Sequence, residues 1–132
     1  MSALTQGLQH VGLTVTRLEE SASFFTQLLG WKEVSRKPDY PAVFVSDGSI
    51  MLTLWEAKSD QPAGFDRRTH VGLHHLALRV DDEKTLQEIH DRVADSGLNI
   101  EFPPEYVGEG PSRHMMCYEP SGIRVEFFFN GS

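Results

Sequence analysis

The sequence predicts an α+β fold built from two tandem βαβββ modules whose curved mixed sheets surround a metal pocket. An internal repeat is the first observation behind this. Leu8-Gln9-His10-Val11-Gly12-Leu13-Thr14-Val15 resembles Leu73-His74-His75-Leu76-Ala77-Leu78-Arg79-Val80, and both alternate as strands do. The second observation is that each segment is followed by a helical stripe that stops at a glycine. The third is that three short strand-like segments follow each helix.

Each element has its own local reason. Thr16 with Glu19 three residues on forms a capping-box signature for the first helix. Leu18, Ala22, Phe25 and Leu29 then recur at helical spacing, and Gly30 ends the run. The second helix starts near Asp82, carries Leu86, Ile89 and Val93, and stops at Gly97. In the first module the strands that follow span 31–36, 42–46 and 50–55, with Asp47-Gly48 as a hairpin turn. In the second they span 99–102, 114–118 and 123–129, with Pro120-Ser121-Gly122 as the turn. A polar connector, 58–69, and a loop rich in proline and glycine, 103–112, are expected at the surface. The reading is one domain over 1–132, with modules at about 7–57 and 71–130.

Composition narrows the function classes. Nineteen acidic against twelve basic residues give a net charge of −7, so a phosphate backbone or an anionic membrane is not an expected partner. No run approaches the roughly 20 apolar residues of a membrane span, and the first residues lack the basic and apolar regions of a secretory signal. A single cysteine, Cys117, excludes an internal disulfide and a cysteine-rich zinc site. A cytoplasmic location is the expectation. Phosphate loops, dinucleotide fingerprints and the Gly-x-Ser-x-Gly elbow are missing.

The paired modules, His10, His75, the Glu-Pro-Ser-Gly turn at 119–122 and Glu126 together resemble the vicinal-oxygen-chelate superfamily. That group holds glyoxalase I, ring-cleaving dioxygenases, methylmalonyl-CoA epimerase, fosfomycin-resistance enzymes and bleomycin-resistance proteins. The resemblance runs over nearly the whole chain. It implies a homodimer, with each site built within one chain or shared between chains.

Strand parity points to the same three residues. Side chains alternate across a strand. Val11, Leu13 and Val15 suit a helix-facing side, which leaves His10, Gly12 and Thr14 opposite. In the second repeat His74, Leu76, Leu78 and Val80 share the helix side, so His75 matches His10. Ile123, Val125, Phe127 and Phe129 likewise leave Arg124, Glu126 and Phe128 on the open face. Gly12 and Ala77 leave room beside the histidines. Two imidazoles and a carboxylate suit Fe(II), Mn(II) or a similar divalent ion, Ni or Zn included, with positions left open for substrate. The resemblance makes His10, His75 and Glu126 the metal ligands. Its fourth position, Glu or Gln in glyoxalase I, aligns here with Met51, a poor ligand for a hard cation.

Met51, Thr53, Trp55, Arg113 and Phe128 are candidates to shape a substrate pocket, and His114 and Tyr118 to move protons. The segment 106–114 is a candidate lid. His70 and His90 are given no role, and Cys117 is read as a small core residue. The function implied is a metal-dependent enzyme acting on a small molecule that chelates through adjacent oxygens, with ring-cleaving dioxygenation ahead of lyase, isomerase or epimerase chemistry. The rival is a metal-free small-molecule binder of the bleomycin-resistance type.

Overall fold

A computed structural model describes residues 2–132. The chain forms two compact units, which divide between Asp60 and Gln61. The first contains β1 (His10–Val15), α1 (Leu18–Ser23), a π-helical turn (Phe24–Leu28), β2 (Lys32–Lys37), β3 (Ala42–Ser46) and β4 (Met51–Glu56). The second contains β5 (Leu76–Val80), α2 (Glu83–Asp95), β6 (Ile100–Tyr106), β7 (Arg113–Tyr118) and β8 (Arg124–Phe129). Each unit is therefore βαβββ, as the repeat predicts.

The two sheets share one topology. Their strand orders are β1-β4-β3-β2 and β5-β8-β7-β6. In each, the first strand lies parallel to the last, and the remaining pairs are antiparallel. A parallel neighbour needs a long crossover, which the helix and two intervening strands provide.

Alternation sets the cores. In the first unit Leu13, Val15, Val43, Val45, Leu52 and Leu54 are buried, as are Leu18, Ala22, Phe24 and Phe25 of the helical segment. The second buries Leu76, Leu78, Met115, Cys117, Val125 and Phe127 along with Leu86 and Val93 of α2. His10, Gly12 and Thr14 of β1, and Ala77 and Arg79 of β5, stay exposed on the alternate positions.

Helix entry and exit differ from the expectation in one module only. Asp82 caps α2, its carboxylate accepting the Thr85 N–H at 2.7 Å. The capping box at Thr16 does not form: Arg17 is the N-cap and no side chain caps the helix. Beyond Ser23 the helix widens, and the Leu29 N–H reaches the Phe24 carbonyl. This widening lets the adjacent Phe24 and Phe25 both turn inward, with ring centroids 5.1 Å apart, edge to face.

β6 runs further than the sequence predicts, through Pro103 and Pro104 to Tyr106. It is an edge strand with two register shifts, where prolines are tolerated because no ladder N–H is required of them. The first strands of both modules are shorter than expected, starting at His10 and Leu76. Among the described residues no helix is long and apolar enough to cross a membrane.

The two β-hairpins that position the functional strands use acidic side chains in the same way. Asp47 Oδ1 accepts from the Ser49 and Ile50 N–H groups, and Gly48 takes φ +98°. Glu119 Oε1 accepts from the Ser121 and Ile123 N–H groups at 2.7 and 3.1 Å, with Gly122 at φ +91°. Glu119 is 2% exposed, so its loss strands amides that water reaches poorly. Glu119→Ala is expected to cost about 1–3 kcal/mol, read as a lower Tm. Asp47→Ala, at an exposed turn, should cost less.

Candidate metal and substrate site

The second unit gathers the chemistry on the face of its sheet opposite α2. Register places Ala77 beside Glu126, Met116 opposite Glu126, and His114 opposite Phe128. Glu126 is 8% exposed. Its Oε1 lies 3.2 Å from His75 Nε2, and its Oε2 lies 2.5 Å from His114 Nδ1. The His114 ring sits between Phe102 and Phe128, at centroid distances of 4.8 and 5.9 Å, and its Nε2 is 3.9 Å from Glu105 Oε1. Buried between two imidazoles, one carboxylate therefore holds both.

The His75–Glu126 contact fits a cation. An imidazole lone pair and a carboxylate oxygen repel at 3.2 Å unless a proton or a metal ion stands between them. Two ligands each about 2.1 Å from one ion, roughly at right angles, stand about 3 Å apart. Nitrogen and carboxylate oxygen also suit a borderline divalent metal, and Ala77 places no bulk beside them. Among the described residues no group of three His, Cys, Asp or Glu is arranged to hold a metal. The His75–Glu126 pair supplies two members of such a set.

In the first unit His10 is exposed, and its Nδ1 contacts Gln9 Oε1. His10 pairs with Met51 and Gly12 with Thr53. This register corrects the alignment of Met51 with Glu126. In the second module Ala77, the equivalent of Gly12, pairs with Glu126, so Thr53 is the true counterpart of Glu126. Met51 opens β4 as Arg124 opens β8, so Met51 matches Arg124, two residues before Glu126. Thr53 is buried, like Glu126, but its hydroxyl accepts the Trp55 indole N–H at 2.9 Å. A Cβ on Gly12 would lie 3.1 Å from that hydroxyl. The space expected beside His10 is thus partly filled.

The remaining candidates separate by face. Met51 and Trp55 are half-buried on the side of His10, and Trp55 packs against Tyr40 and Phe44. Phe128 flanks His114. Arg113 does not face the pocket side: it pairs with Phe129 on the helix-bearing face, donates to the Pro104 carbonyl, and lies 3.9 Å from Glu83 at the start of α2. Strand parity turns it away as it turns His114 inward. Both residues, expected at the end of a lid, belong to β7. His74, expected on the helix side, is exposed because β5 starts two residues later. Cys117 is buried, and desolvation pushes its thiol up to about 12. A depression of about 660 Å³ lies by the start of α1, lined by Glu19, Arg36 and Glu56 among others. It sits past the C-terminal end of β1, away from His10, and Arg36 there is already paired with Glu19 and Glu33.

A second cluster escaped the sequence reading. Arg124 grips Glu101 with two hydrogen bonds, Nε to Oε1 at 2.9 Å and Nη2 to Oε2 at 2.7 Å. The Tyr118 hydroxyl donates to Glu101 Oε1 at 2.6 Å and accepts from Arg67 at 3.2 Å. Tyr118 is thereby committed to this network. The signal in the sequence was the register itself, which sets Tyr118 opposite Arg124; Glu101 joins from an edge strand whose bulges hide its parity.

The Arg124 hydrogen bond, aided by Tyr118 and Arg67 and opposed by desolvation, lowers the Glu101 pKa from 4.5 to about 2. A depressed carboxylate stabilises the fold above its unfolded pKa, and that stability is lost as pH falls from about 4.5 towards about 2. Glu101→Gln is expected to lower stability at neutral pH and to flatten the acid limb over that window. Urea unfolding at a series of pH values measures both.

The chain belongs to the Glyoxalase/Bleomycin resistance protein/Dioxygenase superfamily, whose family model matches residues 7–127. It is 32% identical over 129 residues to a trivalent organoarsenical cleaving enzyme of Bacillus sp. (strain MD1), covering 91% of this chain and 71% of that protein. It is 27% identical over 122 residues to catechol-2,3-dioxygenase of Bacillus subtilis (strain 168). That match covers 90% of this chain and spans only 41% of the relative's length. Among solved structures, a glyoxylase/bleomycin resistance protein/dioxygenase domain from Frankia sp. EAN1pec superposes with a TM-score of 0.83 at 26% identity, covering 96% of this chain and 98% of that one.

Proposed function

We propose that this protein is a metal-dependent enzyme in which His10, His75 and Glu126 hold a divalent ion. Its substrate is a small molecule that chelates the ion through adjacent oxygens, and ring cleavage of a catechol-like substrate is the favoured branch. The observation that carries the reading is the His75 Nε2–Glu126 Oε1 pair at 3.2 Å, backed by a buried carboxylate. His10 completes the set, from the same chain or from a second copy in a homodimer. When bound, a divalent ion favours an ionised substrate hydroxyl, and Fe or Mn adds the redox capacity that dioxygen chemistry needs.

The chain's own residues support this branch over its rivals. Thr53 stands where a fourth, charged ligand would stand by register, and its oxygen is engaged by Trp55, so three protein ligands leave more positions for substrate. His114, clamped between two phenylalanines and bonded to Glu126, is better placed than Tyr118 to hold or pass a proton at its Nε2. Met51, Trp55 and Phe128 supply apolar walls. Cleavage of an organoarsenical fits less well. Trivalent arsenic is a soft centre that seeks thiolates, and Cys117 is buried with a raised pKa on the helix side.

Thermal unfolding with added Fe(II) or Mn(II) tests the ligand set. At a hundredfold excess over Kd the wild type should gain about 2.7 kcal/mol, and His10→Ala, His75→Ala and Glu126→Ala should each lose that gain. No copurifying ion together with no gain would favour the metal-free binder. Oxygen uptake with a panel of catechols under Fe(II) tests the reaction. Silence there, alongside Ni(II)- or Zn(II)-dependent turnover of a hemithioacetal, would replace ring cleavage by lyase chemistry.

A further inference from the structure

We infer that His74 is a positioning residue which, together with Arg124, holds His75 in the tautomer whose Nε2 is free to ligate a metal. The inference rests on the metal-site reading above. His74 and His75 are adjacent, and their Nδ1 atoms lie 2.8 Å apart, with the rings edge to face at 73°. Two such nitrogens share a hydrogen bond only if one carries hydrogen and the other offers its lone pair.

Arg124 decides which one. Its Nη1 lies 3.3 Å from the same His74 Nδ1, and a guanidinium has donors only. His74 Nδ1 is therefore the acceptor for both neighbours, and the hydrogen belongs to His75 Nδ1. A neutral imidazole protonated at Nδ1 carries its lone pair at Nε2, the atom that faces Glu126. In the opposite arrangement, with hydrogen on His74 Nδ1, an N–H would point at the guanidinium, and the hydrogen of a neutral His75 would sit on Nε2, blocking ligation.

Arg124 is itself fixed. Glu101 holds two of its guanidinium nitrogens, and the Tyr118 hydroxyl holds Glu101. A chain of hydrogen bonds thus runs from Tyr118 through Glu101, Arg124 and His74 to the ring of His75. This gives the second cluster a purpose beyond stability. Outer partners of a ligating histidine typically change metal affinity 10–100-fold when removed.

Two substitutions separate the acceptor from the ring. His74→Phe keeps a ring of similar size without an acceptor, whereas His74→Asn loses the ring but keeps an oxygen near the Nδ1 position. Mn(II) affinity, followed by the resonance signal of the free ion, should fall about 10–100-fold in His74→Phe and largely recover in His74→Asn. With Zn(II) bound, ring-nitrogen NMR of the wild type should show His75 still protonated at Nδ1. Equal affinities for His74→Phe and wild type, no recovery in His74→Asn, or ligation through His75 Nδ1 would overturn the inference. His75→Ala makes the failures distinguishable: unchanged affinity there would overturn the metal-site reading itself.

Discussion

Glu126 is where the physical demands on this sheet meet. A buried carboxylate needs a partner for each oxygen, since an unpaired charge at that depth is costly. His114 meets one oxygen and His75 the other. The two contacts are not equivalent. His114 is wedged between Phe102 and Phe128 inside the sheet face, so it anchors the carboxylate. His75 precedes β5, is more exposed, and answers to neighbours outside the sheet. One side of Glu126 is therefore fixed by packing, and the other faces a more exposed imidazole.

The supporting polar groups are layered around that pair. Glu101 and Arg124 form a bidentate contact, a geometry that fixes orientation as well as charge. Tyr118 and Arg67 close it from the other side. Each member comes from a strand, or from the connector before β5, so the sheet's register determines the positions of the charges. A sheet is a suitable base for this, because a one-residue slip of β6, β7 or β8 would turn Glu101, Tyr118 or Arg124 to the opposite face.

The duplicated architecture was legible because alternation and helical spacing both repeat, and because Gly30 and Gly97 end both helices at matching points. Parity also separates Glu126 from Val125 and Phe127, but it misplaces His74, which precedes β5 and is exposed beside His75. It failed where regularity fails. β6 continues through two prolines by bulging at an edge, so the expected loop became strand and Glu101 was not placed. Arg113 was assigned by its place next to a glycine-rich loop, whereas strand parity sends it to the helix side. Thr16 offered a capping box, but β1 hands directly to the helix at Arg17, and tertiary burial of Leu18 outweighed the local cap. The Met51 alignment rests on apolar flanks, Ile50 and Leu52 against Val125 and Phe127, a pattern that Leu52 and Leu54 around Thr53 match equally well.

Correcting that alignment changes how the two halves compare. At one equivalent position, beside a small residue on the neighbouring parallel strand, the first module holds Thr53 and the second Glu126. Both are buried and polar, so the position is suited to an oxygen. The first module satisfies that oxygen with the indole of Trp55, two residues along the same strand. In the second module that place along the strand belongs to Phe128, which has no donor, and the carboxylate turns to histidines instead. The duplicated scaffold thus uses the same site for packing in one half and for ionic chemistry in the other. The difference lies in three residues per module, Thr53, Trp55 and Ala42 against Glu126, Phe128 and His114. An aromatic N–H closes the site in the first module, and in the second the carboxylate is met by the imidazoles of His114 and His75.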